Sequence, residues 1–281
     1  MLPGPMALPW IPGRDIAGII HSVAADVKDF QKGDRVWATN QGFGNRLGTC
    51  AELCAVQQKW LYPLPDEVEF DDAAAAALVG ITAHLGLVQK IGIRAGQSLF
   101  VRGAGGAVGT MVIQMALALG ARVIASAGSD QKVTTALELG AADAFNYRTK
   151  DTASELKRIA TDGVDVAWDT TREPDFQTLV PALAEGGQIV LMAGREAQPP
   201  FPVGPFYVKQ CSMHGIIMLK MSPEEMRAAA MDLNRWLGEK KIRPQIAIRL
   251  PLAETARAHQ LQESATIGLD GALAGKILLH P

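Results

Sequence analysis

Four glycines crowd one short stretch of VRGAGGAVGTMVIQMALALGARVIASAG: Gly103, Gly105, Gly106 and Gly109. A strand-like run, residues 98–102, leads into them, and an apolar helical run, residues 107–119, leads out. A helix N-terminus presents unpaired N–H groups and roughly half a positive charge, and residues without side chains let a diphosphate approach that backbone closely. The spacing Gly103-x-x-Gly106-x-x-Gly109 is not the usual G-x-G-x-x-G, because position 108 is Val. Alone, such a cluster also suits a turn where a strand and a helix merely pack closely. Its position, after a strand and at the head of repeated strand–helix units, argues for a dinucleotide site.

The next strand, residues 122–126, ends without an acid. Sites for the unphosphorylated dinucleotide place Asp or Glu about 20 residues past the glycines, where it accepts from the ribose 2′-hydroxyl. Here that place reads Ser126-Ala127-Gly128-Ser129, with Lys132 just beyond and Tyr147 at the end of the following strand. A carboxylate repels a 2′-phosphate, whereas hydroxyls and an ammonium bind it, so the reading favours NADP(H). The competing reading makes Lys132 a solvated residue of a helix's first turn and Tyr147 a strand-end aromatic. Asp130 is the one acid that would reverse the argument by turning inward.

These residues need a scaffold, and the remaining pattern supplies one. Strands are predicted at 98–102, 122–126, 144–146, 164–168 and 188–193, with helices at 107–119, 131–139, 152–160 and 176–183 between them. Such alternation predicts an α/β fold, a Rossmann doubly wound parallel sheet with helices on both faces. Before it, GIIHSVA, DRVWA and CAELCAV read as short strands separated by turn residues, a small irregular β domain. An Ala-rich helix from Asp71 joins the two. The apolar segment from Cys211 to Leu219 reads as a strand at the sheet's edge, followed by a helix from Pro223 to Leu237, and GKILLHP reads as a last strand returning to the first domain.

Composition narrows the function classes. The 281 residues are 48% hydrophobic and 20% charged, with a net charge of −2, so no basic field invites nucleic acid or an anionic membrane. Three cysteines form no disulfide framework, which points to a reducing compartment, the cytoplasm by default. The N-terminal segment has no basic region ahead of an apolar core, so it does not read as a secretory signal. The Ala-rich run 73–88 is interrupted by Gly80, Thr82 and His84 and reads as a poor membrane span.

IPGRDIAGII, FQKGDRVWA, GITAH, GAGGAVG, ASAGSDQK, FNYR, LAEGGQIVLMAG and AGKILLHP, in that order, resemble the zinc-independent, zeta-crystallin-like quinone oxidoreductases of the medium-chain dehydrogenase/reductase superfamily. The resemblance runs along nearly the whole chain. It implies a GroES-like catalytic domain from residues 1–78 and 249–281, incomplete at its N-terminal side, around a Rossmann domain at 79–248, with NADPH as cofactor and a homodimer as the assembly. Carried over, the diphosphate loop falls on Gly103, Gly106, Ala107, Val108 and Gly109, and the 2′-phosphate contacts on Gly128, Ser129, Lys132 and Tyr147. Thr82 in GITAH is similar to a threonine beside the nicotinamide, Gly194 and Met218 to loops that cover it, and Lys276 to a C-terminal basic residue near the cofactor. Helix-start packing for Thr82 and a turn role for Gly194 are the structural alternatives.

Two departures stand out. Zinc-dependent relatives carry a metal-binding histidine where this chain has Arg14, and a guanidinium does not ligate zinc. Cys50 and Cys54, four apart on an expected strand, lack the spacing of a zinc site and are expected to be buried; His21, His84, His214, His259 and His280 are dispersed. No metal site is therefore expected. The family also carries several dozen residues ahead of the segment resembling LPWIPGRDIAG, among them polar residues around the substrate. The resemblance implies hydride transfer to a quinone or similar conjugated carbonyl, with no general acid assignable. An enoyl-thioester or alkenal reductase and a non-catalytic NADPH-binding protein are the alternatives. The edge strand from Cys211 to Leu219 is the expected dimer seam.

Overall fold

A computed structural model describes residues 10–266 and 273–281. In chain order the elements are β1 (Ile16–Ile19), β2 (Arg35–Ala38), β3 (Leu61–Pro63), α1 (Phe70–His84), β4 (Ser98–Arg102), α2 (Ala107–Ala118), β5 (Arg122–Ala127) and α3 (Asp130–Glu138). They continue with β6 (Asp143–Asn146), α4 (Thr152–Ile159), β7 (Val164–Asp169), α5 (Phe176–Ala182), β8 (Leu183–Leu191), α6 (Val203–Val208) and β9 (Ser212–Gly215). Last come α7 (Pro223–Gly238), β10 (Ile246–Pro251), α8 (Thr255–Thr266) and β11 (Lys276–His280).

The chain divides into two compact units. One comprises Met1–Ile81, Met218–Lys240 and Pro244–Pro281; the other comprises Thr82–Ile217 and Lys241–Arg243. The expected division at 78/79 and 248/249 differs most over α7, which groups with the first unit. Its side chains give the reason: Asn234 accepts from Trp37 Nε1 at 2.9 Å and donates to the Pro63 carbonyl at 2.7 Å, tying α7 to β2 and β3.

In the second unit six strands, all parallel, lie in the order β6-β5-β4-β7-β8-β9. The chain winds outward from β4 to β6, returns, and winds the other way from β7 to β9. Strand order therefore reverses between β4 and β7, and in such sheets ligands bind outside the strands' carboxyl ends at that switch point. Phe100, Ile124, Phe145, Val164, Ala167 and Ile189 from the strands and Leu156, Leu179 and Val180 from the helices form one buried cluster. Phe100 and Phe145 stack at 6.1 Å. The strand residues of that cluster are mostly β-branched or aromatic, as a sheet buried on both faces requires. β8 begins earlier than expected, at Leu183, with a register break against β7 between Val164 and Val166.

In the first unit β1-β2-β3 form an antiparallel sheet around Val36, Ala38 and Leu61, and β10 pairs with β11 in parallel. Residues 50–56, expected as a strand, are irregular. Apolar residues there run consecutively instead of alternating, and the backbone bonds outward singly, Cys50 N–H to the Pro12 carbonyl at 2.9 Å and Ala51 N–H to Thr49 at 2.8 Å. Cys50 and Cys54 are only half-buried, contrary to expectation. The segment 211–219 is a strand only over Ser212–Gly215; Met218–Lys220 is a 3-10 turn.

α1 continues into a π-turn, Leu85–Lys90. Phe70–Lys90 is long and apolar enough to cross a bilayer by composition, yet 72% of that window is buried within the protein, as a core helix would be.

Candidate cofactor site

β4 ends at Arg102 and the chain turns at Gly103, whose φ of 78° is a left-handed conformation that side-chain-bearing residues rarely adopt. A Cβ there would also fall inside the shell of Thr170 Oγ1. The Gly103 and Ala104 amides donate to the Ser126 carbonyl at 3.0 and 2.9 Å, fixing the turn to β5. α2 then opens on Gly106, an N-cap with no side-chain cap bond, so its first-turn amides are left to another acceptor. A Cβ on Gly109 would lie 2.7 Å from the Gly103 carbonyl oxygen and 2.8 Å from Ala104 Cα, which is why Gly is needed where α2 crosses the turn. Ala107 and Val108 form the half-exposed start of the helix between them.

The turn is braced from below. Arg102 Nη1 pairs with Asp169 Oδ2 at 2.9 Å and also donates to Thr171 Oγ1 at 2.7 Å and the Glu173 carbonyl at 2.8 Å. Thr170 Oγ1 bridges the Arg102 and Gly103 carbonyls at 2.9 and 3.1 Å. Asp169, 1% exposed, also accepts from the Thr171 amide at 2.8 Å. None of these bracing residues was singled out from sequence, since the pair depends on β4 and β7 being neighbours.

At the end of β5, Ser126 and Ala127 are buried and the Ser126 hydroxyl has no hydrogen-bond partner among the described residues. Ser129 caps α3, its side chain accepting from the Lys132 amide. The Lys132 side chain leans over the glycine turn, since a Cβ on Gly105 would meet its Cβ and Cγ at 2.8 Å and its Cδ at 2.6 Å. Tyr147 arrives from the end of β6: its hydroxyl lies 2.6 Å and Arg148 Nε 3.5 Å from where a Cβ of Gly128 would stand. Asp130, the acid that would oppose a phosphate, is exposed, and its carboxylate accepts from Asn146 Nδ2 at 2.7 Å. Lys132 thus packs over Gly105, and Tyr147 and Arg148 over Gly128. Arg148 was missed in sequence because a cation following a strand-end aromatic reads as a solvated residue.

Among known proteins, rat quinone oxidoreductase is 32% identical over 255 residues, spanning 90% of this chain and 76% of its own. The chain belongs to the quinone oxidoreductase family. The alcohol dehydrogenase GroES-like domain matches residues 2–66 and the zinc-binding dehydrogenase domain matches residues 107–235. The tomato 2-methylene-furan-3-one reductase is 30% identical over 98% of this chain and 64% of its own length. Escherichia coli quinone oxidoreductase, solved in complex with NADPH, superposes with a TM-score of 0.85 at 28% identity, covering all of this chain and 85% of that one.

In this family member the other residues named from sequence divide between the two units. Thr82 is buried in α1, and Gly194, φ 80°, sits past β8 where a Cβ would lie 2.7 Å from the Arg172 carbonyl. Met218 is buried and groups with the first unit. Lys276, also in the first unit, is engaged: Nζ pairs with Asp15 Oδ2 at 2.8 Å, and Asp15 Oδ1 accepts from Thr39 Oγ1 at 2.6 Å. Arg14 Nη1 reaches the Gln41 carbonyl at 3.5 Å. Burial pushes both the Cys50 and Cys54 thiols up, away from the thiolate form that binds metals. Among the described residues no three His, Cys, Asp or Glu side chains gather as metal ligands would.

Proposed function

We propose that the chain is an NADPH-dependent reductase that passes hydride to a quinone or similar conjugated carbonyl without catalytic zinc. The observation that carries this is the end of β5, where Tyr147 and Arg148 meet Gly128, Lys132 of the following helix leans over Gly105, and the nearby acid is tied to Asn146. Gly103, Gly106, Ala107, Val108 and Gly109 hold the diphosphate on backbone amides, and Gly128, Ser129, Lys132 and Tyr147 hold the 2′-phosphate. An uncapped helix start and a turn cleared of side chains fit that group. Thr82 and Gly194, both in the second unit, are the residues we assign to the nicotinamide end.

When bound, NADPH supplies the hydride. The acceptor is already electrophilic, so the protein's work is to hold the two reactants in contact and keep water out. Arg14 at the position of a ligating histidine supports a mechanism without zinc, because a guanidinium offers no lone pair. The test is acceptor-dependent NADPH oxidation with a small quinone, run with and without a chelator. Turnover that survives chelation supports the reading, and turnover restored only by zinc overturns it.

The likeness to the tomato 2-methylene-furan-3-one reductase favours a second reading, in which the acceptor is an enone. Comparing kcat/KM for a quinone and for an alkenal of similar size separates the two. Tight NADPH binding with neither acceptor turned over would mark a non-catalytic nucleotide-binding protein. A cytoplasmic location agrees with three free cysteines.

The assembly we propose is a homodimer through β9. Met213 and Ile217 are 37% and 44% exposed beside that unpaired strand edge, and Val203, Tyr207 and Val208 of α6 are each more than 60% exposed. Uncovered edges and apolar patches of this kind are usually covered by a partner. Light scattering at micromolar concentration checks it, a monomeric mass being the contrary result.

A further inference from the structure

In the second unit the last residue of β6 bonds an acid with one end of its side chain and the backbone of a cation-bearing turn with the other. Asn146 Nδ2 donates to Asp130 Oδ1 at 2.7 Å, and Asn146 Oδ1 accepts from the Arg148 amide at 3.0 Å. The second bond orients the side chain, because a backbone N–H can bond only to its oxygen; the nitrogen then faces a carboxylate, which can only accept. Asn146 is half-buried and stands beside Ala127, the last residue of β5, while Asp130 and Arg148 are exposed. Asp130 opens α3, one residue after the cap Ser129 and two after Gly128. An acid at a helix start is favoured by the amides and positive dipole of its own first turn. Among the described residues, however, the Asp130 carboxylate bonds only to Asn146, across on β6. The Asn146 carbonyl also closes the turn that follows, accepting from the Thr149 and Lys150 amides at 3.2 and 3.0 Å. That turn brings the Tyr147 hydroxyl and Arg148 Nε to 2.6 and 3.5 Å from where a Cβ of Gly128 would stand.

We propose that Asn146 is a positioning residue for cofactor choice, which holds the Asp130 carboxylate aside from the 2′-phosphate. An acid near the end of this strand accepts from a ribose 2′-hydroxyl and repels a 2′-phosphate, so a free Asp130 would favour NADH. The chain thus carries an acid suited to the unphosphorylated cofactor, and one neutral amide keeps it out of use. This rests on the reading that the end of β5 takes the 2′-phosphate of NADPH.

The experiment titrates the full chain with NADPH and with NADH by calorimetry, without an acceptor. Asn146→Ala releases Asp130 and should weaken NADPH binding about 3–10-fold at low salt, the effect of one unit charge brought near a phosphate in water, and NADH binding under about twofold. Adding Asp130→Asn to Asn146→Ala should restore NADPH binding to within about twofold of the wild type, whereas Asp130→Asn alone should change it by less than about twofold. Asn146→Asp keeps an acceptor for the Arg148 amide but loses the donor, so the turn is retained while Asp130 is repelled; its NADPH loss should be at least that of alanine. Thermal unfolding of each variant checks that the fold persists, and Asn146→Asp serves where alanine unfolds. Failure of Asp130→Asn to rescue, equal losses for both cofactors, or wild-type NADPH binding by Asn146→Asp would overturn the proposal and leave Asn146 a shaper of the turn alone. A wild type that binds NADH as tightly as NADPH would overturn the 2′-phosphate reading, and the proposal with it.

Discussion

The glycine turn after β4 and the end of β5 lie on adjacent strands and form the two halves of the proposed site, yet they are built from different parts of the chain. The turn uses backbone: a left-handed Gly103, an uncapped helix start, and close contact of Gly109 with Ala104. The end of β5 uses side chains, Lys132, Tyr147 and Arg148, brought over Gly105 and Gly128. Backbone donors are fixed in number and direction by the fold, so in the proposed site they would hold a diphosphate common to both nicotinamide cofactors. Side chains are replaceable one at a time, so in the proposed site they would decide which cofactor is preferred. Substitutions in the turn should therefore be severe and blind to the cofactor, and substitutions at the β5 end mild and selective.

The largest effect is expected at Gly103. Valine there would be β-branched in a left-handed conformation and would collide with Thr170 Oγ1. Strain of this kind costs about 1–3 kcal/mol before the collision is counted. Gly103→Val should abolish binding of NADPH and NADH alike and lower the melting temperature; retained NADH binding in a titration would break the contrast. Next is Asp169→Ala, which leaves Arg102 partly buried without its partner at 2.9 Å. Removing one member of a buried pair costs about 3–5 kcal/mol, and the low end suits Arg102, whose side chain is 22% exposed. Chemical denaturation should record that loss, and both cofactors should bind more weakly by similar factors.

At the other end of the comparison, Lys132→Ala should weaken NADPH by about 1.5–3 kcal/mol, the worth of a charged hydrogen bond, and leave NADH nearly unchanged. Equal losses for both would mean that Lys132 acts on the turn it leans over, not on the 2′-phosphate.

The same division explains what sequence alone revealed. Gly103 and Gly109 were legible because a glycine that the backbone geometry demands leaves its mark between a strand and a helix. β5, β7 and β8 were legible for a related reason, their buried β-branched residues. The bracing by Asp169 was not, because it depends on which strands are neighbours, and β4 pairs with β7 across 67 residues. Residues 50–56 misled because apolar content without alternation does not specify a strand. The grouping of α7 with the first unit includes long-range bonds through Asn234, which an amphipathic pattern does not distinguish.

The smallest effect, and the finest test of the contrast, is Arg148→Ser. Its Nε lies 3.5 Å from the position a Gly128 Cβ would take, so it reaches the same space as the Tyr147 hydroxyl, but the residue is exposed and its charge is screened. An exposed charge of this sort contributes about 0.2–1 kcal/mol, which corresponds to a change in NADPH affinity of roughly one- to fivefold at low salt. NADH should not respond, and the NADPH effect should shrink as ionic strength rises, whereas the effect of Gly103→Val should not depend on salt. If Arg148→Ser and Lys132→Ala both act on the 2′-phosphate, their double variant should deviate from additivity, because they share one ligand. Strict additivity, or a salt-independent loss, would remove Arg148 from the phosphate and leave Lys132 and Tyr147 to set the preference between them.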